Sequence, residues 1–318
     1  MRGQKSTPAS GTLSLGPLLF NWPPERVRAL YDGIAGSAAI GTVHIGEVVC
    51  AKRAPLLAGA LAEAVARLAA AGKEIVLSTL ALPADARELA AMEALVRDAG
   101  GLVEANDVAA LALLEGRPHA VGPFINVYNE GTLATLAENG AVRVCLPPEL
   151  DRQTIATLAA TGLAEIEVQV FGRLPLALSA RCYHARAHGL AKDNCRFVCG
   201  EDADGMMVET LDGEPFLAVN GIGTLSYSYR CLLAELDELR SLGVGRFRLS
   251  PHSLDMVAVA ELFRAVLDGG IDAAMALEDL QRHLPGAVLA NGYYYGQRGL
   301  AWRARRTGMP GAETPATS

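Results

Sequence analysis

Short apolar runs alternate with longer amphipathic ones along most of the chain. Residues 13–18 read as a strand and 24–35 as a helix with proline in its first turn. Strand 42–49 precedes an Ala/Leu-rich helix, 55–71, stopped by Gly72. Strand 74–80 leads to helix 83–98, and strand 101–105 to helix 107–114. Segment 120–128 is extended and 131–138 helical; strand 141–146 ends at Pro147-Pro148 before helix 150–160. A seventh strand spans 166–171. The pattern then breaks for about 55 residues and resumes with helix 229–242, strand 246–250 and helix 254–267.

Eight strands, nearly all followed by a helix, argue for a parallel sheet covered on its outer face. Eight such units suit a closed TIM-like (β/α)8 barrel better than an open doubly wound sheet. A dinucleotide-binding fold loses weight because Gly221-Ile222-Gly223 lacks the third glycine and the strand–helix setting of that fingerprint. The break after the seventh strand, 174–228, is an insertion on the C-terminal face, where barrels build their sites. Within it, apolar runs 206–210 and 216–219 flank Asp212-Gly213, a hairpin signal. The expected organisation is one barrel domain, 11–302, with polar tails at 1–10 and 303–318.

Composition narrows the class. Apolar residues make up 51% of the 318 and charged ones 20%, enough for a large core. The net charge of −7 and the lack of a long basic run disfavour nucleic acid as a partner. No apolar run is long enough for a transmembrane helix, and the polar N-terminus lacks the apolar middle of a signal peptide. A cytoplasmic protein is expected, in which six cysteines serve as thiols or metal ligands rather than disulfides.

Cys182, Cys195 and Cys199 form a Cys-x12-Cys-x3-Cys set in polar surroundings within the insertion. Clustered thiolates are soft ligands that select zinc or an iron–sulfur cluster, and spacing does not choose between them. A fourth ligand is needed. Cys50 follows the second strand on the same barrel face; Cys231 is the rival, expected two residues into a helix. Cys145 lies in mid-strand and reads as a small hydrophobe.

Several segments together resemble the iron–sulfur branch of the collagenase-like peptidase superfamily, which serves ubiquinone biosynthesis. They are Ser14-Leu15-Gly16-Pro17-Leu18-Leu19, Gly46-Glu47-Val48-Val49-Cys50, Ile125-Asn126-Val127-Tyr128-Asn129, Phe171-Gly172-Arg173-Leu174-Pro175-Leu176, Arg248-Leu249-Ser250-Pro251 and the cysteine set. The resemblance runs from about Leu13 to Arg303. It implies a barrel-like fold and an oxygen-sensitive 4Fe–4S cluster held by Cys50, Cys182, Cys195 and Cys199. It also implies a heterodimer with a homologous UbiU-like protein and oxygen-independent hydroxylation of a ubiquinone precursor. Cys231 matches a ligand position of the partner-type pattern. Competing readings are a peptidase, for which the chain has neither HExxH nor GxSxG, and a non-catalytic metal-stabilised partner subunit.

Other residues carry weaker signals. Glu47 and Arg173, at the ends of the second and seventh strands, are the candidates for catalysis; their plainer roles are a bond to backbone amides and a salt bridge. His184 and His188, four apart, suit a structural or electropositive patch with Arg181 and Arg186 better than ligation. His44 reads as a core histidine. Asn126 and Asn129 either contact a ligand or shape a turn. Tyr293-Tyr294-Tyr295 is an aromatic group suited to packing or an interface.

Overall fold

The computed structural model describes residues 11–304 apart from Pro285. The expected tail at 1–10, and all of the expected tail at 303–318 beyond Ala304, lie outside the described residues. Apolar runs form the strands, and most of the helices start at an Asp or Asn cap or a first-turn proline readable in the chain. In order these are β1 (Thr12–Leu15), α1 (Pro24–Gly36), β2 (Thr42–Ile45), α2 (Ala54–Ala70), β3 (Glu74–Ser78), α3 (Ala86–Asp98), β4 (Val103–Ala105) and α4 (Val108–Leu113). Then come β5 (His119–Val121), α5 (Glu130–Glu138), β6 (Ala141–Cys145), α6 (Arg152–Ala160) and β7 (Glu165–Leu178). The insertion contributes α7 (Tyr183–Ala187), β8 (Met206–Glu209), β9 (Pro215–Asn220) and β10 (Gly223–Cys231). The chain closes with α8 (Leu236–Ser241), β11 (Arg246–Leu249), α9 (Met256–Leu267), α10 (Ala273–Arg282) and β12 (Leu289–Ala290).

Side chains of Asp85, Asp107, Asn129, Asp151, Asp255 and Asp272 each accept an amide hydrogen bond at the start of a helix. These bonds satisfy donors that the first turn leaves unpaired. Asn129 is thereby a cap of α5, the turn-shaping one of its two expected roles.

Strands β1 to β7 pair in sequence, all parallel, and β11 pairs with both β7 and β1. The eight-stranded barrel is closed, as the alternation predicts, and the insertion follows the seventh strand. Outward strand faces pack against the helices through residues such as Val27, Tyr31, Val259 and Phe263, all fully buried.

Two expectations change. The seventh strand does not stop at Phe171 but continues to Leu178, and β10 pairs with it antiparallel. The helix expected from Tyr229 is the end of β10; helix α8 begins only at Leu236. Alternating Tyr and Ser residues at 226–229 favour a strand, and the extended β7 supplies its partner. Cys231 therefore sits in a ladder opposite Phe171. The expected hairpin is present as β8 and β9, antiparallel to each other, with β9 also paired to β10. Among the described residues no helix is long and apolar enough to cross a membrane.

A four-cysteine cavity on the C-terminal face

The loop after β2 carries the first functional side chains. Gly46 has φ +154°, and a Cβ there would lie 2.3 Å from the Ser78 carbonyl oxygen, so only glycine lets this loop cross β3. One carboxylate oxygen of Glu47 accepts the amides of Val49 and Cys50, both at 2.8 Å. That pair of bonds fixes the turn presenting Cys50. Burial pushes the Glu47 carboxyl up, and the Arg53 guanidinium opposes it.

Cys50, Cys182, Cys195 and Cys199 line one small cavity, together with Lys52, Arg53, Lys192, Phe197, Val198 and Gly221. The structure thus brings the three insertion cysteines to the loop after β2. Cys231 is fully buried in β10, and burial pushes its thiol up to about 12. Cys145 is buried in β6, where burial also raises its pKa.

Charges around the cavity favour a thiolate-bound, anionic group. Arg53 is only 1% exposed. Its Nη1 donates to the Leu19 carbonyl and its Nη2 to Asn220 Oδ1, each at 2.9 Å. Burial alone lowers its affinity for a proton, but Glu47, Cys199 and Cys50 outweigh that and leave it raised. Burial raises Cys50, with Arg53 pulling the other way. Asn21 Nδ2 donates to Cys199 Sγ at 3.5 Å, and the Ala185 amide to Cys182 Sγ at 3.4 Å. Lys52 Nζ donates to the carbonyls of Lys192 and Asp193 at 2.8 and 3.1 Å, joining the Cys50 loop to the Cys195 segment. Gly221 makes room for Arg53: its φ is +63°, and a Cβ there would meet Nη2 at 2.6 Å.

Between Cys195 and Cys199 the chain carries two non-glycine residues with positive φ, Arg196 at 51° and Phe197 at 56°. Cys195 just before them is right-handed. Such a change of hand gathers backbone N–H groups into a concave anion-binding nest of the kind seen at iron–sulfur sites. The strain of consecutive left-handed residues persists only where the surroundings impose it. Four thiols, a sealed guanidinium, two lysines and this nest together suit a metal–thiolate cluster.

A larger cleft adjoins the cavity and shares Lys52 and Phe197 with it. Its wall is largely apolar, including Pro55, Leu80, Met92 and Leu95, with Glu47 and Arg87 among its charged groups. A third, more open cleft is lined by Cys182 with Arg181, Arg186 and Lys192.

The other sequence candidates fall as follows. Arg173 is buried and bound to the main chain of β10, through Ser226 O at 3.0 Å and Tyr227 O, with its guanidinium 4.6 Å from the Tyr229 ring centre. It ties β7 to β10 rather than to a carboxylate. His44 is a fully buried core histidine between Glu104 and Glu167. Tyr294 is fully buried and Tyr295 packs against it and under Arg303, so the tyrosine triplet is chiefly a packing element. Arg53, Asn21 and Asn220 were not singled out by sequence. A basic residue three positions after Cys50 was the available signal for the first.

Residues 25–303 match the model of Peptidase family U32. Among solved structures, a class V chitinase from Nicotiana tobaccum in complex with NAG4 is similar at 11% identity, over 83% of this chain and 93% of that one. Its TM-score of 0.31 is too low to carry an argument.

Proposed function

The chain belongs to peptidase family U32, and from that premise we propose that it is a UbiV-type iron–sulfur protein of that family. In this reading Cys50, Cys182, Cys195 and Cys199 hold a 4Fe–4S cluster. The protein works in the cytoplasm with a UbiU-like homologue in the oxygen-independent hydroxylation of the ubiquinone ring. The observation that supports it most is the convergence of those four cysteines, from a β2 loop and a distant insertion, on one cavity.

When bound, the cluster supplies one-electron or Lewis-acid chemistry at the open face of the barrel. The chain's own groups do the rest. Arg53 offsets thiolate charge from the protein side, and Glu47 holds the Cys50 turn through two amides. The adjoining apolar cleft is suited to the ring and hydrocarbon portion of a ubiquinone precursor, with Phe197 between it and the cysteines. Glu47 borders that cleft and remains the candidate for proton handling; the bonds of Arg173 favour a structural role. A thiol peptidase needs a cysteine activated by a base, whereas the sulfur contacts here come from Asn21, the Arg53 guanidinium and the Ala185 main chain, which are hydrogen-bond donors and not bases.

Anaerobic purification with iron and sulfide analysis is the direct test. About four of each per chain are expected, with broad visible absorption. A colourless protein that carries only zinc overturns the cluster. Deleting the gene should lower ubiquinone in cells grown without oxygen and spare it in air. Normal anaerobic ubiquinone in the deletion strain, or rescue by a cluster-less cysteine variant, overturns the pathway role.

A further inference from the structure

Two histidines outside the cysteine cavity meet an aspartate from a neighbouring segment. His184 lies on α7 and His188 caps its end, four positions on, which places both on one side of the turn. Their rings stack with centroids 5.7 Å apart and planes 14° apart. Asp202 follows the short turn that contains Cys199, and its Oδ2 lies 2.9 Å from His184 Nε2. One ligand atom from each of the three residues lies within 4.8 Å of the others. His184 is fully buried and held by a main-chain hydrogen bond to Val219, while His188 is exposed and Asp202 partly so. The group is therefore anchored on one side and open to solvent on the other.

From this geometry we infer that His184, His188 and Asp202 form a second metal site, separate from the cysteine cavity, for zinc. Two imidazole nitrogens and one carboxylate oxygen are a borderline donor set that suits zinc, while calcium and magnesium call for oxygen ligands. A simple His–Asp ion pair accounts for His184 and Asp202 but gives no role to the stacked, exposed His188. Three protein ligands leave the fourth tetrahedral position to water.

The placement gives the metal a structural task. His184 is two residues after Cys182, and Asp202 is three after Cys199. Zinc bound here clamps together the two segments that deliver those cysteines. The inference needs no sulfur ligand and does not depend on the cluster reading.

The test is a Zn2+ titration of the full chain, purified anaerobically, against a chromophoric chelator. Wild type, His188→Ala, Asp202→Asn and Cys195→Ser are compared, with iron measured on each sample. One zinc per chain should bind to wild type and to Cys195→Ser. His188→Ala and Asp202→Asn should each weaken it by about tenfold or more. His188 is exposed, so its replacement leaves folding intact and decides the matter if Asp202→Asn does not fold. Equal zinc affinity in wild type and His188→Ala overturns the site. So does zinc that disappears with Cys195→Ser alone, because thiols then hold it. An iron-free wild type counts against the cluster, and the His188→Ala comparison is then made in a chain with Cys50, Cys182, Cys195 and Cys199 all replaced by Ser, so that no cavity thiol competes for zinc.

Discussion

A guanidinium sealed against two thiols governs how much negative charge the cysteine cavity tolerates. Arg53 has no route to solvent, and both carbonyl partners of its nitrogens are buried with it. Replacing it with Met takes the guanidinium donor from Asn220 Oδ1, leaves the Leu19 carbonyl to the Asn220 amide alone, and removes a buried cation that acts on Cys50 and Cys199. A loss of about 3 kcal/mol in urea stability is expected, since breaking a buried charged contact from one side is costly. Iron retention should fall to less than half. Arg53→Lys should recover part of it, because an ammonium keeps the charge but not the fork of two bonds. Retention equal to wild type in Arg53→Met shows that Arg53 is a packing residue only. The cysteines themselves divide by position. Cys50→Ala should strip most of the iron, whereas Cys231→Ala, deep in β10, should keep it and cost about 1 kcal/mol through a small void. The reverse result moves the fourth ligand to Cys231.

At the scale of elements, the segment 195–199 holds its shape through two left-handed residues. Arg196→Gly should keep the iron, because glycine adopts a φ of 51° freely. Arg196→Val, β-branched, should lose iron several-fold faster on exposure to a chelator, as the nest collapses. Equal rates for the two variants show that the loop's backbone shape does not matter to the site. The βα alternation was readable because buried parallel strands are continuous apolar runs and most helices open on an Asp or Asn cap. Strand ends were read too long, as at 13–18 against Thr12–Leu15, because the loop beyond β1 is itself buried. Nothing local distinguishes Leu18 and Leu19 packed under a loop from the same residues in a strand. The strand character of 229–231 depends on pairing with Phe171, Gly172 and Arg173 of β7, a long-range pairing that the sequence does not spell out. The four cysteines could be gathered from spacing, strand order and resemblance. Asn21 and Asn220 could not, since they join the site from separate loops with no spacing relation to the thiols. Asp202 was invisible beside His184 and His188 for the same reason.

For the molecule as a whole, closure of the barrel rests on a charged layer in its interior. Arg248 on β11 contacts Glu104 on β4 and Glu167 on β7, with His44 of β2 between the two carboxylates. Hydroxyls of Ser14 and Ser78 donate to the remaining carboxylate oxygens. Burial works against both carboxylates, yet Arg248 and His44 outweigh it and hold them below the usual range. For His44, burial and Arg248 push down while Glu104 and Glu167 push up, and it ends raised. The signs follow from linkage. Carboxylates depressed in the fold contribute stability above their unfolded pKa of about 4.3, lost as acid protonates them. A raised histidine contributes stability below about 6.5, lost as pH rises through its higher folded value. Stability measured by urea at a series of pH values should therefore decline on both sides of that interval, and Glu167→Gln should flatten the acid limb. An unchanged acid limb in Glu167→Gln assigns acid unfolding to other groups. Arg248→Met is the more severe change. It leaves two buried carboxylates facing one imidazole, and a loss of about 3–5 kcal/mol is expected. Arg248 joins strands from both sides of the seam that β11 closes, so the loss should appear as a lower urea midpoint with an unchanged slope. A midpoint equivalent to less than about 1 kcal/mol of loss means that backbone pairing and the apolar shell close the barrel without the ion network.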